Sequence, residues 1–255
     1  MQPVIERKEG EGAAQAAPSS SSRRAKFLLT AFLAFAALAF AGLGVWQVER
    51  LFWKLDLIAR VEARVTAPPI APPAAREWPA LSADAYEYRH VTATGLFEPE
   101  HETLVQAVTE RGPGFWVMTP LRLADGTTIL VNRGFVPPER RDPASRAEGN
   151  RAGPATVTGL LRISEPGGGF LRANDAANGR WYSRDVEAIA SARGLEKVAP
   201  FFIDADGTAN PGGFPVGGLT VVTFRNSHLV YALTWFALAV MSLGGLYFVR
   251  RNRAG

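Results

Sequence analysis

Two long segments without a charged side chain constrain the fold of this chain more than any other feature. The first covers residues 27–45 and the second covers residues 229–249, which are 19 and 21 residues long. At a helical rise of about 1.5 Å per residue, the shorter segment is roughly 29 Å long, close to the hydrocarbon thickness of a bilayer. The sequence therefore predicts a membrane protein with one transmembrane helix near each end.

Basic side chains lie at the outer end of each apolar segment. They are Arg23, Arg24 and Lys26 before the first segment and Arg250, Arg251 and Arg253 after the second. Because the short segments next to a span carry more Lys and Arg on the cytoplasmic side, both termini are predicted to be cytoplasmic. The residues between the two segments are predicted to lie on the far side of the membrane.

Each apolar segment also has an alternative interpretation. The triplets ALA at 37–39 and AFA at 39–41 resemble the cleavage site of a signal peptide. The long polar leader and the length of the apolar run favour an uncleaved helix. Residues 229–249 suit a buried core helix as well, but the arginines that follow them favour a membrane span.

The basic charge of the chain is confined to its ends. The formal net charge is +4, and the pI is about 9.7. Residues 1–45 hold five Lys or Arg and three Glu, and residues 229–255 hold three Arg, giving +2 and +3. Residues 46–228 hold 20 Lys or Arg and 21 Asp or Glu, giving −1. The basic pI therefore indicates topology, and we expect no nucleic-acid partner.

The usual catalytic patterns are missing from the sequence. The chain has no cysteine, which excludes disulfide scaffolds, thiolate zinc sites, thiol redox chemistry and covalent c-type haem attachment. It has no G-x-S-x-G nucleophile motif and no dinucleotide fingerprint. His90, His101 and His228 show no metal-ligand spacing. We therefore expect no catalytic residues and no enzymatic activity.

Composition divides the chain into six segments. The predicted segments are a disordered cytoplasmic tail (1–26), a first transmembrane helix (27–46), an amphipathic helical extension (47–66), an extracytoplasmic β-rich domain (67–227), a second transmembrane helix (228–249) and a basic cytoplasmic tail (250–255). The extension is predicted because Leu51, Leu55 and Ile58 continue an apolar stripe at helical spacing.

The residues between the spans indicate a series of short strands and one short helix. Strands are predicted at 88–97, 103–108, 115–123, 127–131, 156–163, 199–203 and 219–224, where β-branched and aromatic residues cluster. Asp125-Gly126 is a hairpin dipeptide, and Pro120 moves its strand towards an edge or a bulge. Ser183 and Gly194 bound the helix. The predicted fold class is α+β, with two transmembrane helices flanking a mainly antiparallel β domain.

His228 lies one residue before the second apolar segment, at the outer edge of the predicted membrane. A neutral imidazole there can bind iron axially, and the aromatic rings of Tyr231 and Trp235 can flank a flat macrocycle. The same pattern is typical of an interfacial histidine beside aromatic-belt residues. Spacing alone favours this second, structural interpretation.

Four stretches of the chain occur in one order between the two spans. They are residues 43–47 (LGVWQ) with Arg50 and Lys54, residues 114–120 with 126–137, residues 174–175 with 181–185 (WYSRD), and residues 218–220 with 226–236 (NSHLVYALTWF). Together they resemble the motifs of the surfeit locus protein one family of terminal-oxidase assembly factors. The chain departs from the family pattern at Phe135, where Trp is usual, and at Ala176, where Pro is frequent.

The resemblance implies a non-enzymatic assembly factor for a haem-copper oxidase, cytochrome c oxidase, that binds haem a and aids its insertion. His228 matches the family histidine proposed as the axial ligand of haem a. Tyr231, Trp235 and Arg133 are the further candidate haem contacts, with Arg133 pairing a propionate. The implied partners are the catalytic subunit, haem a synthase and the lipid bilayer. The implied location is a bacterial inner membrane with a periplasmic outer domain.

The remaining motif residues have structural interpretations. Trp46 is predicted to anchor the helix at the membrane interface, Gln47 to pack between helices and Gly44 to allow their close approach. Arg50 and Asn226 belong to the same two motifs.

Asn132, Arg133 and Gly134 predict a turn after a strand. Gly134 would take a positive φ there, and Arg133 would bind carboxylates or backbone groups. Two further functions stay open at this stage. One is a scaffold that stabilises an oxidase intermediate without haem, and the other is a membrane-anchored sensor or enzyme with an unrecognised outer site.

Overall fold

The computed structural model describes residues 20–150, 153–222 and 224–251. Residues 1–19 and 252–255 of the two predicted tails lie outside the described residues. The chain divides into two units. We call Met1–Leu55 with Arg225–Gly255 the helical unit, and Asp56–Phe224 the β domain.

The described residues contain four α-helices and six β-strands. The helices are α1 (Ser20–Thr66), α2 (Ala83–Tyr86), α3 (Val186–Arg193) and α4 (His228–Arg251). The strands are β1 (His90–Phe97), β2 (Thr103–Thr109), β3 (Gly112–Leu123), β4 (Thr128–Val136), β5 (Pro154–Ile163) and β6 (Val198–Ala205).

The helical unit consists of α4 and the first part of α1. Both helices are long and apolar enough to cross a membrane. Their large apolar side chains face outwards, as Phe35 and Leu38 show with 71% and 75% exposure. Because α1 begins at Ser20, residues 20–26, which were predicted as tail, are helical. Arg, Lys and Ala are strong helix formers, so these residues extend the apolar helix instead of ending it.

The two long helices pack antiparallel within the helical unit. A Cβ atom built on Gly245 would lie 3.5 Å from the Leu33 side chain. Further along α1, the Phe40 ring stacks on Trp235 with 5.6 Å between the ring centroids. Later residues of α1 therefore contact earlier residues of α4, so the two helices run in opposite directions.

The β domain is built on a five-stranded barrel. The strands follow the order β1-β5-β6-β4-β3, and the pairing of β1 with β3 closes the ring. Strand β2 pairs with β3 outside the ring. Five of the six strand pairings are antiparallel, as predicted, and β4 with β6 is the parallel exception. A parallel pair needs a crossover connection, and β5 and α3 lie in the segment that joins β4 to β6.

Side chains alternate between two apolar cores along the central strands. On β4, Ile129 and Val131 belong to the core inside the barrel. Leu130, between them, belongs to a second core outside the barrel, with Trp181 and Ile189. This alternation is the period of two that a strand imposes on its side chains. Strand β4 is buried on both faces as a result.

Pro120 lies where β3 changes partners, which explains why the strand tolerates it. The pairing of β3 with β2 ends at Met118, and the pairing with β1 begins at Leu121. The Pro120 carbonyl accepts a hydrogen bond from Glu98 N on this edge. The Pro120 nitrogen faces the same edge, so its missing N–H costs no bond within a continuous ladder.

The predicted strand at 219–224 is wrong for its described residues. The ring of five strands closes through β1 and β3, so this segment cannot enter the barrel. The preceding backbone forms only an isolated bridge, in which Phe135 and Val216 exchange two hydrogen bonds of 2.9 Å. Val221 is 72% exposed, so it has no sheet surface to cover. The local strand propensity of this segment is overridden by tertiary structure.

The predicted turn at 132–134 is also wrong, because β4 continues through these residues to Val136. Gly134 does adopt a positive φ of 127°. A Cβ atom at Gly134 would lie 2.2 Å from the Val216 carbonyl oxygen, so only glycine fits there. On the neighbouring strand β3, the pairing register with β4 shifts between Trp116 and Met118. These residues therefore form an irregular strand that brings segment 216–218 close to the sheet.

The helices of the β domain differ from the prediction in two details. The single-turn α2 is present in addition to the one short helix that was predicted. Helix α3 begins two residues later than expected, because the Asp185 carboxylate accepts a hydrogen bond from Ala188 N and caps it. The Ser183 hydroxyl instead accepts a bond from Gly168 N. Gly194 ends α3 with a positive φ, as predicted.

Candidate functional site

His228 is the first residue of α4, and its imidazole is held by α1. The Nδ1 atom of His228 lies 2.7 Å from Oε1 of Gln47. The backbone N–H of His228 donates to the Asn226 side-chain oxygen at 3.4 Å, which helps to cap the helix. His228 is half-buried and Gln47 is only 9% exposed. The contact therefore lies on the inner face of the helix pair.

The placement of the Gln47 amide oxygen next to His228 Nδ1 matches one tautomer of the neutral imidazole. An amide oxygen can only accept a hydrogen bond, so Nδ1 of a neutral imidazole must donate. The lone pair then lies on Nε2, which makes no hydrogen bond to any described residue. A histidine arranged in this way is suited to bind a metal ion through Nε2.

The close approach of α1 to α4 supports this contact. A Cβ atom on Gly44 would lie 2.6 Å from the Phe236 ring. Gly42, two residues earlier, has no atom within 4 Å of such a Cβ. Gly44 therefore faces α4 and lies one helical turn before Gln47, so its lack of a side chain keeps Gln47 within reach of His228.

Tyr231 and Trp235 lie on the same face of α4 as His228, at spacings of three and seven residues. Tyr231 is 55% exposed and its side chain is available to a ligand. Trp235 is half-buried because its ring stacks on Phe40, with 24° between the ring planes. Of the two aromatic residues predicted to flank a macrocycle, Tyr231 is thus the more accessible one.

Trp46 and Arg50 lie on the outward part of α1. Trp46 is 50% exposed, as an interfacial anchor would be. The Arg50 guanidinium lies 4.2 Å from the ring centroid of Trp53, in a cation–π contact. Sequence analysis did not single out Trp53, although a spacing of three residues after a basic residue on a helix is a visible signal.

Arg133 belongs to the β domain and not to the helical unit. Its guanidinium donates to Gly149 O at 2.6 Å, to Asn150 Oδ1 at 2.7 Å and to Asn210 Oδ1 at 3.3 Å. The Arg133 cation also lies 4.9 Å from the Phe97 ring centroid. Burial, with the nearby Arg146 cation, lowers the pKa of Arg133 below its ordinary value, and Glu102 partly offsets this.

Asn132, the neighbour of Arg133, belongs to a buried ion network that sequence analysis missed. Its Nδ2 donates to Asp204 Oδ1 at 2.7 Å. Asp204 also accepts bonds from Arg162, Arg184 and Thr220 at 2.9–3.2 Å. The Asp204 side chain is only 1% exposed. Because no local motif marks a strand aspartate as a network centre, only the sheet pairing reveals it.

Two arginines and three carboxylates form the charged part of this network. Burial alone would lower the pKa of Arg162, but the carboxylates of Asp204 and Glu87 raise it above its ordinary value. Glu165 Oε1 accepts from Arg184 at 2.5 Å and from Arg162 at 3.4 Å. The network therefore joins β4, β5 and β6 to the segment that contains Thr220.

The described residues hold no group of three or more His, Asp or Glu that suits a metal ion.

The chain is similar to one protein family over most of its length. The model of the SURF1 family matches residues 34–240. Surfeit locus protein 1 of Rattus norvegicus is 39% identical over 239 residues, which are 87% of this chain and 76% of the rat protein. The Homo sapiens protein of the same name is 38% identical over 90% of this chain and 79% of its own. A SURF1-like protein of Monosiga brevicollis is 38% identical over 93% of this chain and 94% of its own length.

Proposed function

Because the chain belongs to the SURF1 family, we propose that it is a non-enzymatic factor in the assembly of a haem-copper oxidase, cytochrome c oxidase. In this proposal its partners are the catalytic subunit of the oxidase and the components that supply that subunit. The match covers most of α1, the β domain and the first half of α4, so the proposal concerns both units of the chain.

The proposed cargo is haem a, which the chain holds through His228 and passes to the catalytic subunit. The contact between His228 Nδ1 and Gln47 Oε1 carries this proposal, because it leaves Nε2 free to bind iron. Tyr231 lies exposed on the next turn, where it can contact the edge of the macrocycle. Haem a synthase is the proposed donor, since a lipophilic cargo needs direct transfer from its source.

The proposed location is the bacterial inner membrane, with the β domain in the periplasm and both termini in the cytoplasm. Outward-facing apolar side chains on both long helices support a bilayer environment. The antiparallel packing of α1 and α4 supports termini on one side of the membrane. The basic residues at both outer ends support the cytoplasmic side.

Purification from cells that make haem a tests the proposal. The full chain is extracted in mild detergent, and its absorbance spectrum is recorded together with its haem-to-protein ratio. Wild type is expected to carry haem a, and His228→Ala is expected to carry almost none. His101→Ala is the matched control, because it removes a half-buried histidine of the β domain and should leave the haem content unchanged. Equal haem in wild type and His228→Ala would reject His228 as the ligand.

A scaffold that holds the oxidase subunit without haem is the second candidate function. Exposed apolar side chains of the β domain favour it. Val108 and Phe170 are 86% and 92% exposed and line one cleft of about 500 Å³. A scaffold predicts that the catalytic subunit co-purifies with His228→Ala as well as with wild type, whether or not haem a is made.

A further inference from the structure

Arg133 is a buried cation without a carboxylate partner among the described residues. It is 4% exposed, and its hydrogen bonds go to one backbone carbonyl and two side-chain amides, all uncharged. A buried charge that lacks a counter-ion is unfavourable, because hydrogen bonds to neutral groups replace only part of the lost hydration.

A buried carboxylate that acts on Arg133, that of Glu102, is already paired with another arginine. Glu102 forms a two-bonded pair with Arg146, and both side chains are at most 5% exposed. Glu102 and Arg146 both act on Arg133 electrostatically, with opposite signs. Arg133, Arg146 and Glu102 together therefore carry one net positive charge.

Arg133 lines a cavity that is formed entirely by the β domain. The cavity has a volume of about 210 Å³. Its walls combine apolar side chains with hydroxyl groups, namely Phe97, Val131, Val157, Thr156 and Thr158. Phe97 contributes a ring that also lies against the guanidinium. The cavity thus has a largely apolar body, with the Arg133 cation and the Asp206 carboxylate as its charged lining residues.

We propose that this cavity binds a small organic carboxylate, with the ligand's carboxylate against Arg133 and its apolar part between Phe97 and Val157. A carboxylate supplies the missing negative charge, and charge-assisted hydrogen bonds to arginine are the strong ones. The apolar walls disfavour inorganic anions, which would lose their hydration there without a matching partner.

The size of the cavity limits the ligand. An apolar cavity of about 150 Å³ is enough for benzene. A cavity of about 210 Å³ therefore holds a carboxylate near the size of benzoate, or the carboxylate arm of a larger molecule, but not a whole macrocycle. The cavity lies in the β domain, whereas His228 belongs to the helical unit.

A negatively charged residue of the cavity would disfavour a carboxylate ligand, so the test has to include ligands of other charge. Asp206 also lines the cavity, and its Oδ1 accepts a hydrogen bond from Thr208 N at 2.9 Å. If Asp206 governed the site, the ligand would be a cation. A neutral and a cationic ligand of the same shape therefore have to be compared with the carboxylate.

Calorimetric titration of the full chain in detergent with benzoate, benzamide and benzylamine distinguishes these cases. Benzoate is expected to bind at least ten times more tightly than benzamide, and benzylamine is expected not to bind. Ala155→Leu fills the cavity without removing Arg133, and it should abolish benzoate binding. Ala147→Leu makes the same change at an exposed position outside the cavity and should have no effect.

Two further variants separate this site from folding and from the haem site. Arg133→Lys keeps the charge but loses the planar fork, and it is expected to weaken benzoate binding about tenfold. His228→Ala is expected to bind benzoate as wild type does. The proposal is overturned if benzoate does not bind, if benzamide binds equally, if benzylamine binds more tightly or if Ala155→Leu binds benzoate normally.

Discussion

The Nδ1 atom of His228 lies 2.7 Å from Oε1 of Gln47, although 181 positions separate the two residues in the chain. Gln47 thereby orients the imidazole and accepts a hydrogen bond from Nδ1 when this nitrogen carries the proton. We expect Gln47→Leu to keep the His228 ligand but to weaken haem a retention about tenfold, as loss of a partner that orients a metal ligand does. The haem-to-protein ratio of purified protein after extensive washing measures this effect.

Gln106→Leu is the matched control for this prediction, because Gln106 is exposed in the β domain. It should retain haem a as wild type does. If Gln47→Leu also retained haem a fully, the contact with His228 would have no part in haem binding.

The close contact of Gly44 with Phe236 makes a second prediction. Gly44→Ala places a methyl group about 2.6 Å from the ring, so α1 and α4 must separate or Phe236 must move. We expect a loss of about 1–3 kcal/mol, as for other overpacked sites. Gly42→Ala adds the same methyl group where no atom lies within 4 Å, so it should be neutral or slightly stabilising. Thermal unfolding in detergent compares the two variants.

A double variant tests the assignment of this contact. Removing the ring with Phe236→Ala should recover part of the stability that Gly44→Ala loses, because the clash is then absent. Simple additivity of the two losses would mean that Gly44 and Phe236 do not touch.

Asp204 makes a third prediction, which concerns the β domain alone. Replacing it with alanine removes the shared acceptor of Arg162 and Arg184, whose side chains are 14% and 13% exposed. We expect Asp204→Ala to destabilise the fold by about 3–5 kcal/mol, because both arginines lose their most deeply buried acceptor and keep only the more exposed Glu87 and Glu165. Asp56→Ala breaks the exposed pair with Arg60 and should change stability by less than about 1 kcal/mol. Chemical denaturation followed by tryptophan fluorescence measures both, and equal effects would contradict the network's role.

The turn between β3 and β4 makes a fourth prediction, on pH dependence. The Thr127 hydroxyl and backbone N–H donate to Asp125 at 2.6 and 2.9 Å, and these bonds lower the pKa of Asp125. A lowered pKa in the folded state means that the ionised carboxylate stabilises the fold above its ordinary pKa of about 3.9. This stabilisation is lost as the pH falls through the lowered pKa.

Asp125→Asn removes the ionisable group while it keeps the shape of the side chain. Its Tm should therefore lie below that of wild type at pH 7, and the difference should shrink as the pH falls below about 4. A difference that stayed constant from pH 7 to pH 3 would show that the charge of Asp125 does not contribute.

The parts of the fold that depend on neighbouring residues follow from the sequence. The strands that flank Asp125-Gly126 are present, because an aspartate–glycine pair between apolar runs specifies a hairpin locally. The strand predicted at 199–203 lies within β6, where aromatic and β-branched residues alternate between two cores. The described residues of segment 219–224 are also rich in β-branched residues but form no strand, because the ring of five strands is already closed by β1 and β3.

Contacts between distant residues could not be predicted from spacing. Helical periodicity shows that Gln47 and His228 lie on helices, but it does not show which faces of the two helices meet. The sequence places Asp204 only at the end of a predicted strand. The parallel pairing of β4 with β6 places it opposite Asn132. The cavity at Arg133 is likewise formed by several segments that only the barrel brings together.

Titration of the purified apo protein with haem a tests the central claim most directly. The full chain in detergent is titrated as wild type, His228→Ala and His101→Ala, and Kd is obtained from the absorbance change. The account predicts that His228→Ala binds at least ten times more weakly than wild type, while His101→Ala matches wild type. Equal Kd values for wild type and His228→Ala would contradict it.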